Sequence, residues 1–220
     1  MRAIELITDI IPPLVHNDTG EKALIWMEEF KVSHLPVLKN GEFVGLLSES
    51  DVLDKLNDKD TLDSLFDHLP RLYVLSDFHI YEVLSRMSEA QATVMPILDK
   101  NEKYLGCVSN HEILTKLAAT SSIKEQGGII VIECNKKDYS MSEIAQIVES
   151  DNAKILSSYI FSKIESTEIE ITLKINQLDL TRIMRSFERY NYTIKASYQT
   201  KLNDNDVQWR YDVLMNYLKF

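Results

Sequence analysis

The chain has 220 residues, 45% of them apolar and 26% charged, a composition suited to one or two ordinary globular domains. Its formal net charge of −10 argues against nucleic acid as a partner, because counterion release needs clustered lysine and arginine and none stands out. The N-terminus meets Asp9 before any long apolar run, and no stretch approaches the ~18 apolar residues of a spanning helix, so neither a signal peptide nor a membrane segment is expected, and the expected location is the cytoplasm.

Leu14-Val15 is a short opening strand. Asp18-Thr19 then precedes Ala23, Leu24, Met27 and Phe30, whose spacing predicts an amphipathic helix over 20–31 with Asp18 or Thr19 as its N-cap. The apolar runs Leu35–Leu38 and Phe43–Leu47 flank Lys39-Asn40-Gly41-Glu42, and Asn-Gly between two such runs predicts a tight hairpin. A helix follows over 50–56. The acidic run Asp58, Lys59, Asp60, with Asp63 and Asp67 beyond it, is read as a solvated connector. The same order then returns: strand 73–75, helix 80–88, strand 94–98, a turn at Asp99-Lys100-Asn101-Glu102, strand 104–108 and helix 111–119.

The recurrence extends to individual residues. Leu24 and Met27 correspond to Leu84 and Met87, and Pro36-Val37 to Pro96-Ile97, at a spacing of 60; Gly45, Ser48 and Asp51 correspond to Gly106, Ser109 and Glu112 at 61, so the second turn is one residue longer. Two units that share a β-α-β-β-α order must cover each other's apolar faces, and the cleft between them is where function is expected.

A polar stretch, Ser121 to Gly128, reads as a linker. Beyond it the pattern is a strand at 129–132, a helix opened by a capping box at Ser140-Met141-Ser142-Glu143, and strands at 155–164 and 168–175. In the second of these strands, Ile169, Ile171, Leu173 and Ile175 alternate, predicting one covered and one wet face. A helix with Leu180, Ile183, Met184 and Phe187 follows. The last strand is read with Tyr192, Ile194, Ala196 and Tyr198 on one side. This β-α-β-β-α-β order is the ferredoxin-like split arrangement. Tyr211, Leu214, Met215 and Leu218 form the stripe of a terminal helix that needs a surface to dock on. The expected fold class is therefore mixed α+β, with repeats at 1–60 and 61–122, a ferredoxin-like domain at 127–200 and a C-terminal helix at 201–220.

Asp51 falls in the first turn of its helix, directly after the strand that ends at Ser48. Exposed N–H groups and the positive end of the dipole attract anions there, and one carboxylate can accept hydrogen bonds from both vicinal hydroxyls of a ribose. Ser48-x-x-Asp51 equally fits a helix cap that satisfies backbone N–H groups, and both readings stay open for Asp51. For Ser109 and Glu112 the capping reading is preferred, because the longer glutamate displaces the carboxylate. Glu49, Asp51 and Asp54 crowd one helix start with negative charge, which disfavours a triphosphate and suits adenosine, a monophosphate or the sulfonium S-adenosylmethionine.

The doubled motif, Pro-aliphatic-Leu, Gly-x-x-Ser and carboxylate-aliphatic-Leu in register twice, resembles the CBS domain, and the tandem over residues 4–120 resembles a CBS pair, or Bateman module. The resemblance implies a regulatory module for adenosine-containing ligands with no catalytic activity of its own. It further implies a ribose contact at Asp51, a phosphate or ribose contact at Ser48, and an adenine contact at His34-Leu35-Pro36-Val37, with Pro96, Ser109 and Glu112 as their second-copy counterparts. The second domain resembles an ACT domain in its strand order and in the segment Asn135–Ile144, where that family binds amino acids, although serine at 140 replaces the usual nearby glycine. A CBS pair followed by an ACT-like domain is similar to the layout of bacterial acetoin-utilisation accessory proteins.

The five histidines show no i, i+4 pair and no cysteine at metal-ligand spacing, so no metal site is expected. Cys107 and Cys134 read as buried free thiols. Trp26, Met27 and Met87 read as packing residues. With no nucleophile, base and electrophile set and no phosphate-binding glycine loop, the chain is not read as an enzyme. The expectation is a sensor of a small-molecule effector, homodimeric, with no resident cofactor and an unidentified protein as its regulated target. An empty, dimerising scaffold and an amino-acid sensor are the alternatives.

Overall fold

The computed structural model describes residues 1–55, 60–119, 121–162 and 166–199. They divide after Ala118 into two units. The C-terminal helix expected over 201–220 lies outside the described residues.

In the first repeat, β1 (Leu14–Val15) leads into α1 (Gly20–Phe30), whose N-cap Thr19 accepts from the Lys22 N–H. β2 (His34–Lys39) and β3 (Glu42–Ser48) form a hairpin with Lys39 opposite Glu42. Asn40 and Gly41 both take positive φ, 51° and 85°, as the two-residue type I′ turn demands. α2 (Glu49–Lys55) follows. The second repeat runs β4 (Val74–Leu75), α3 (Ile80–Glu89), β5 (Val94–Leu98), β6 (Tyr104–Ser109) and α4 (Asn110–Ala118). Each repeat carries a three-stranded sheet of the same order, β1-β2-β3 and β4-β5-β6, with the first pair parallel and the second antiparallel.

Each sheet is extended by a segment that belongs to the lead-in of the other repeat. The Leu46 N–H donates to the Pro70 carbonyl at 3.0 Å, and the Thr8 N–H donates to the Cys107 carbonyl at 3.0 Å. Glycine makes both approaches feasible: a Cβ at Gly45 would stand 2.7 Å from Leu69 Cβ, and one at Gly106 would stand 2.6 Å from Ile7 Cγ2. The two cores interleave accordingly. Val94 and Cys107 pack into the core of the first repeat, and Ala3 and Leu6 into that of the second.

Asp58 and Lys59 of the connector lie outside the described residues, and the part that is described is only half solvated. Asp63 and Asp67 are exposed, but Leu62 and Leu65 of a 3-10 helix over Leu62–His68 are buried in the first core, because the short helix puts its acids outward and its leucines inward. Trp26 packs edge-on to Phe30, as a packing residue should.

The second unit holds α5 (Ser121–Lys124), β7 (Gly128–Asn135), α6 (Met141–Ser150), β8 (Ile155–Ser162), β9 (Glu168–Ile175), α7 (Thr181–Arg189) and β10 (Thr193–Tyr198). The expected linker thus carries one helical turn. The sheet order β10-β7-β9-β8, antiparallel throughout, is the split β-α-β arrangement. Ile130, Ile132, Ile171, Leu173, Ile144, Ile147, Ile183 and Phe187 fill its core.

Two local expectations are corrected. Ser140 caps α6 by accepting from the Glu143 N–H, but the Glu143 carboxylate is engaged by the Tyr192 hydroxyl, from which it accepts at 2.7 Å, instead of completing the box. In β10 a register shift between Ile194 and Ala196 breaks the alternation: Ile194 pairs with core-facing Ile132, whereas Ala196 and Tyr198 pair with Val131 and Ile129 of the opposite face. Tyr192 and Tyr198 therefore lie on opposite sides of the sheet. The whole is mixed α+β.

Candidate functional site

One cleft of about 590 Å³ opens between the two repeats of the first unit. Its walls are Ser33, His34 and the Ser48–Asp51 turn from the first repeat and Ala90–Ala92 from the second, with Leu46, Pro70 and Leu72 completing the lining. The residues arrive there for local reasons. β3 ends at Ser48, which caps α2: its Oγ accepts from the Asp51 N–H at 3.1 Å, and Asp51 Oδ2 accepts from the Ser48 N–H at 3.3 Å and the Ser48 hydroxyl at 2.5 Å. Asp51 Oδ1 accepts from Lys55 Nζ at 2.6 Å. Opposite, the chain leaves α3 past its C-cap Ala90 through Gln91 with φ 51°, a left-handed exit that turns it into β5 along the cleft wall; Lys31, with φ 55°, turns the chain out of α1.

The walls are tied together across the repeat. The Thr93 hydroxyl accepts from the Ser33 N–H at 2.9 Å and lies 3.1 Å from His34 Nδ1, and the Thr93 N–H donates to Nδ1 at 3.3 Å. Because a backbone N–H can only donate, Nδ1 is an acceptor and the neutral ring carries its proton on Nε2. Burial holds the His34 imidazole below its ordinary pKa, with the nearby Asp51 charge opposing it. For Asp51, burial opposes ionisation, but hydrogen bonds from Lys55 and from the side chain and backbone of Ser48 outweigh it and hold the carboxyl below the ordinary carboxylate value.

Of the residues singled out in the sequence, Asp51, Ser48 and His34 share this cleft. Leu35, Pro36 and Val37 do not line it: all three are buried, and Leu35 and Val37 are fully enclosed in the first core, because alternation along β2 sends them inward. Only the strand's first residue reaches the cleft. Pro96 is likewise buried. Ser109 and Glu112 reproduce the cap, Glu112 Oε2 accepting from the Ser109 N–H at 3.2 Å and from its hydroxyl. Ser109 is only 4% exposed, and Val94, the counterpart of His34, is fully buried. Cys107 Sγ abuts the Ile11 carbonyl at 3.6 Å. The second half-site is thus more tightly packed than the first.

Thr93 was not singled out from the sequence. The available signal was its pairing with Ser33 at the repeat spacing of 60, small hydroxyl residues in both copies. Cys107 is buried, which raises its thiol to about 11, whereas Cys134 is only partly buried. In the second unit the Asn135–Ile144 segment closes on itself: Asn135 Oδ1 accepts from the Lys137 N–H at 3.0 Å, and Ser140 caps the helix. Among the described residues, no group of three or more His, Cys, Asp and Glu could hold a metal ion, and no helix is long and apolar enough to cross a membrane.

Comparison with known proteins places a family on this half of the chain. Residues 5–58 and 68–119 each match the family model of the CBS domain. Solved structures similar to the chain include a CBS domain pair/ACT domain protein from Thermotoga maritima, 25% identical with a TM-score of 0.47, over 53% of this chain and 96% of that one. The CBS domains of a transcriptional regulator from Streptococcus pneumoniae are 22% identical with a TM-score of 0.45, over 52% of this chain and 98% of that one. CBSX2 in complex with AMP is 18% identical with a TM-score of 0.45, over 53% of this chain and 95% of that one. Two matched repeats, sharing one sheet order and closing on a common cleft, make residues 5–119 of this chain a tandem pair of CBS domains.

Proposed function

We propose that the CBS pair is a regulatory sensor, without catalytic activity of its own, that binds an adenosine-containing ligand of low negative charge in the inter-repeat cleft. The observation that carries this reading is the convergence of Asp51, Ser48 and His34 on a cleft of about 590 Å³, within the range that holds small ligands. Among the described residues its lining contains the acids Glu49 and Asp51 and no lysine or arginine. A polyphosphate there would be repelled; adenosine, a monophosphate or S-adenosylmethionine would not. Capping and ligand contact are compatible at Asp51. Lys55, 45% exposed, holds Oδ1 through an i, i+4 bridge of the kind that contributes a few tenths of a kcal/mol. A ribose hydroxyl can replace that lysine at small cost, freeing the ammonium for a phosphate.

Because ligand would touch both repeats, it would favour one relative arrangement of them over another, which is the condition for a sensor. The second unit is read as an ACT-like domain on its strand order and sheet topology. We place the homodimer contact on the CBS pair, where Leu53 and Leu114, 61 positions apart on α2 and α4, are 64% and 67% exposed. An apolar position kept exposed in both repeats gives a patch symmetric about the repeat axis, which suits an isologous contact with a second copy.

The test is calorimetry of the full chain against adenosine, AMP, ADP, ATP and S-adenosylmethionine. Binding by at least one of the three weakly charged ligands, weakened about tenfold or more in Asp51→Asn as expected for a lost charge-assisted hydrogen bond, supports the reading. Silence for all five ligands, or unchanged binding in the variant, overturns it in favour of a ligand-free scaffold.

A further inference from the structure

Three of the chain's seven arginines, Arg182, Arg185 and Arg189, fall within eight residues, in a chain whose formal net charge is −10. Their i, i+3, i+7 spacing on α7 aligns them in one stripe, and all three are exposed, while Ile183 and Phe187 on the far side of the helix are enclosed in the core. Like charges at this spacing repel and weaken a helix. Internal pairing does not relieve them: among the described residues none of the three forms an ion pair. Asp179, just ahead of the helix, spends its carboxylate on the Thr181 N–H at 3.0 Å.

The stripe borders a hollow of about 670 Å³, lined by Arg182, Arg185, Ser186, Glu188 and Arg189 and by Asp151, the C-cap of α6. One wall is fixed in advance. Ser186, 4% exposed, accepts from Arg189 Nη2 at 2.9 Å and donates to Asp151 Oδ2 at 3.3 Å, while Gln177 Nε2 donates to the Asp151 carbonyl at 3.1 Å. Arg189 is thereby positioned with N–H groups to spare, and the Asp151 carboxylate is engaged by a buried hydroxyl. Three guanidinium groups against the carboxylates of Asp151 and Glu188 leave the hollow net positive. Arginine's planar fork matches phosphate oxygens two at a time. Arg182 and Arg189 are ~10 Å apart along the helix axis, close enough for three long side chains to converge on one anion over Arg185. The volume is that of a small-molecule site and exceeds what a bare anion needs.

We infer that this hollow binds the phosphate group of a small phosphomonoester. Arg182 and Arg185 pair with the dianion, Arg189, held by Ser186, donates to a further oxygen, and the remaining space takes the group that carries the phosphate. The site shares no lining residue with the CBS cleft.

The experiment is a titration of the full chain with inorganic phosphate and with glycerol 3-phosphate, at constant ionic strength in chloride, read by NMR from the arginine Nε–H resonances. Arg182→Lys, Arg185→Lys and Arg189→Lys assign those resonances, and circular dichroism checks that each variant is folded. Among the described residues the CBS cleft is lined by no arginine, so the three signals report this site alone. Expected are saturable shifts confined to Arg182, Arg185 and Arg189, at lower concentration for glycerol 3-phosphate, weakened about tenfold or more in Arg185→Gln and by a smaller factor in Ser186→Ala, which releases Arg189. Shifts that rise linearly and equally across all seven arginines would overturn the inference as screening alone, as would saturable binding unchanged in Arg185→Gln. A site that takes inorganic phosphate and refuses glycerol 3-phosphate would overturn it by leaving room for a bare anion only.

Discussion

Replacing Gly45 with alanine tests whether the exchanged segments hold the CBS pair together. The added methyl would stand 2.7 Å from Leu69 Cβ and 3.1 Å from the Pro70 carbonyl oxygen. Carbon atoms pack at ~3.5–4.0 Å, so the 69–70 segment must retreat by about 1 Å. Overpacking of this kind costs roughly 1–3 kcal/mol. The retreat also strains the 3.0 Å bond from the Leu46 N–H to the Pro70 carbonyl, about another 1 kcal/mol. The expected loss is therefore about 2–4 kcal/mol. Gly41 is the internal control: its φ is +85° and a Cβ there meets nothing within 4 Å, leaving only the left-handed backbone penalty, about 1 kcal/mol after the entropy change in the unfolded chain. Urea unfolding followed through Trp26, with Trp209→Phe in every protein, isolates the first unit. With a slope of ~1–3 kcal/mol/M, Gly45→Ala should lower the midpoint by about 1–2 M and Gly41→Ala by about a quarter to a half of that. Equal shifts would refute the claim that the segment contact is tight. Because Pro70 and Leu46 line the cleft, ligand affinity should fall with Gly45→Ala and not with Gly41→Ala.

Thr93→Val removes the hydroxyl that accepts from the Ser33 N–H at unchanged shape, and the orphaned donor should cost about 1–3 kcal/mol, which Thr93→Ser restores; equal stability of all three in urea would count against the cross-repeat tie. His34 is held below its ordinary pKa, so on acidification the unfolded chain takes that proton first and native stability falls from about pH 6.5 downward. His34→Asn, whose Oδ1 can accept from the Thr93 N–H, should flatten that slope relative to the natural protein. Asp51 acts in a separate window: its folded pKa is lowered, so its contribution is present above the ordinary carboxylate range and is lost as pH falls through it, and Asp51→Asn should remove that lower limb alone. If the proposed dimer forms through the CBS pair, Leu53→Lys with Leu114→Glu should convert it to monomer in light scattering without lowering the thermal midpoint; a dimer that survives both changes places the contact elsewhere.

The repeat was legible because duplication leaves a period that no single motif could supply, and because Asn40-Gly41, Thr19 and Ser140 are local signals whose geometry depends on neighbours a few residues away. Asp51 and Ser48 were legible for the same reason. What stayed hidden depended on contacts far along the chain. Nothing near Thr93 marks it as the partner of Ser33, and nothing near Leu62 tells that a charged connector would bury two leucines. The β10 register shift was invisible because Tyr192, Ile194, Ala196 and Tyr198 keep perfect alternation in sequence, and only pairing with β7 reveals the break. Glu143 was misassigned to its own helix because its acceptor role is claimed by Tyr192, 49 positions away.

Residues 7–8 complete the sheet that ends in β6, and residues 69–70 complete the one that ends in β3. Sequence repeat and folding unit are thus different objects: severed within the connector, each fragment would carry away the strand-edge partner the other needs. Two such fragments should reassociate without a covalent link and fold as one. A repeat standing alone could satisfy its edge only by trading the same stretch with an identical chain, and the tandem places that exchange within one polypeptide.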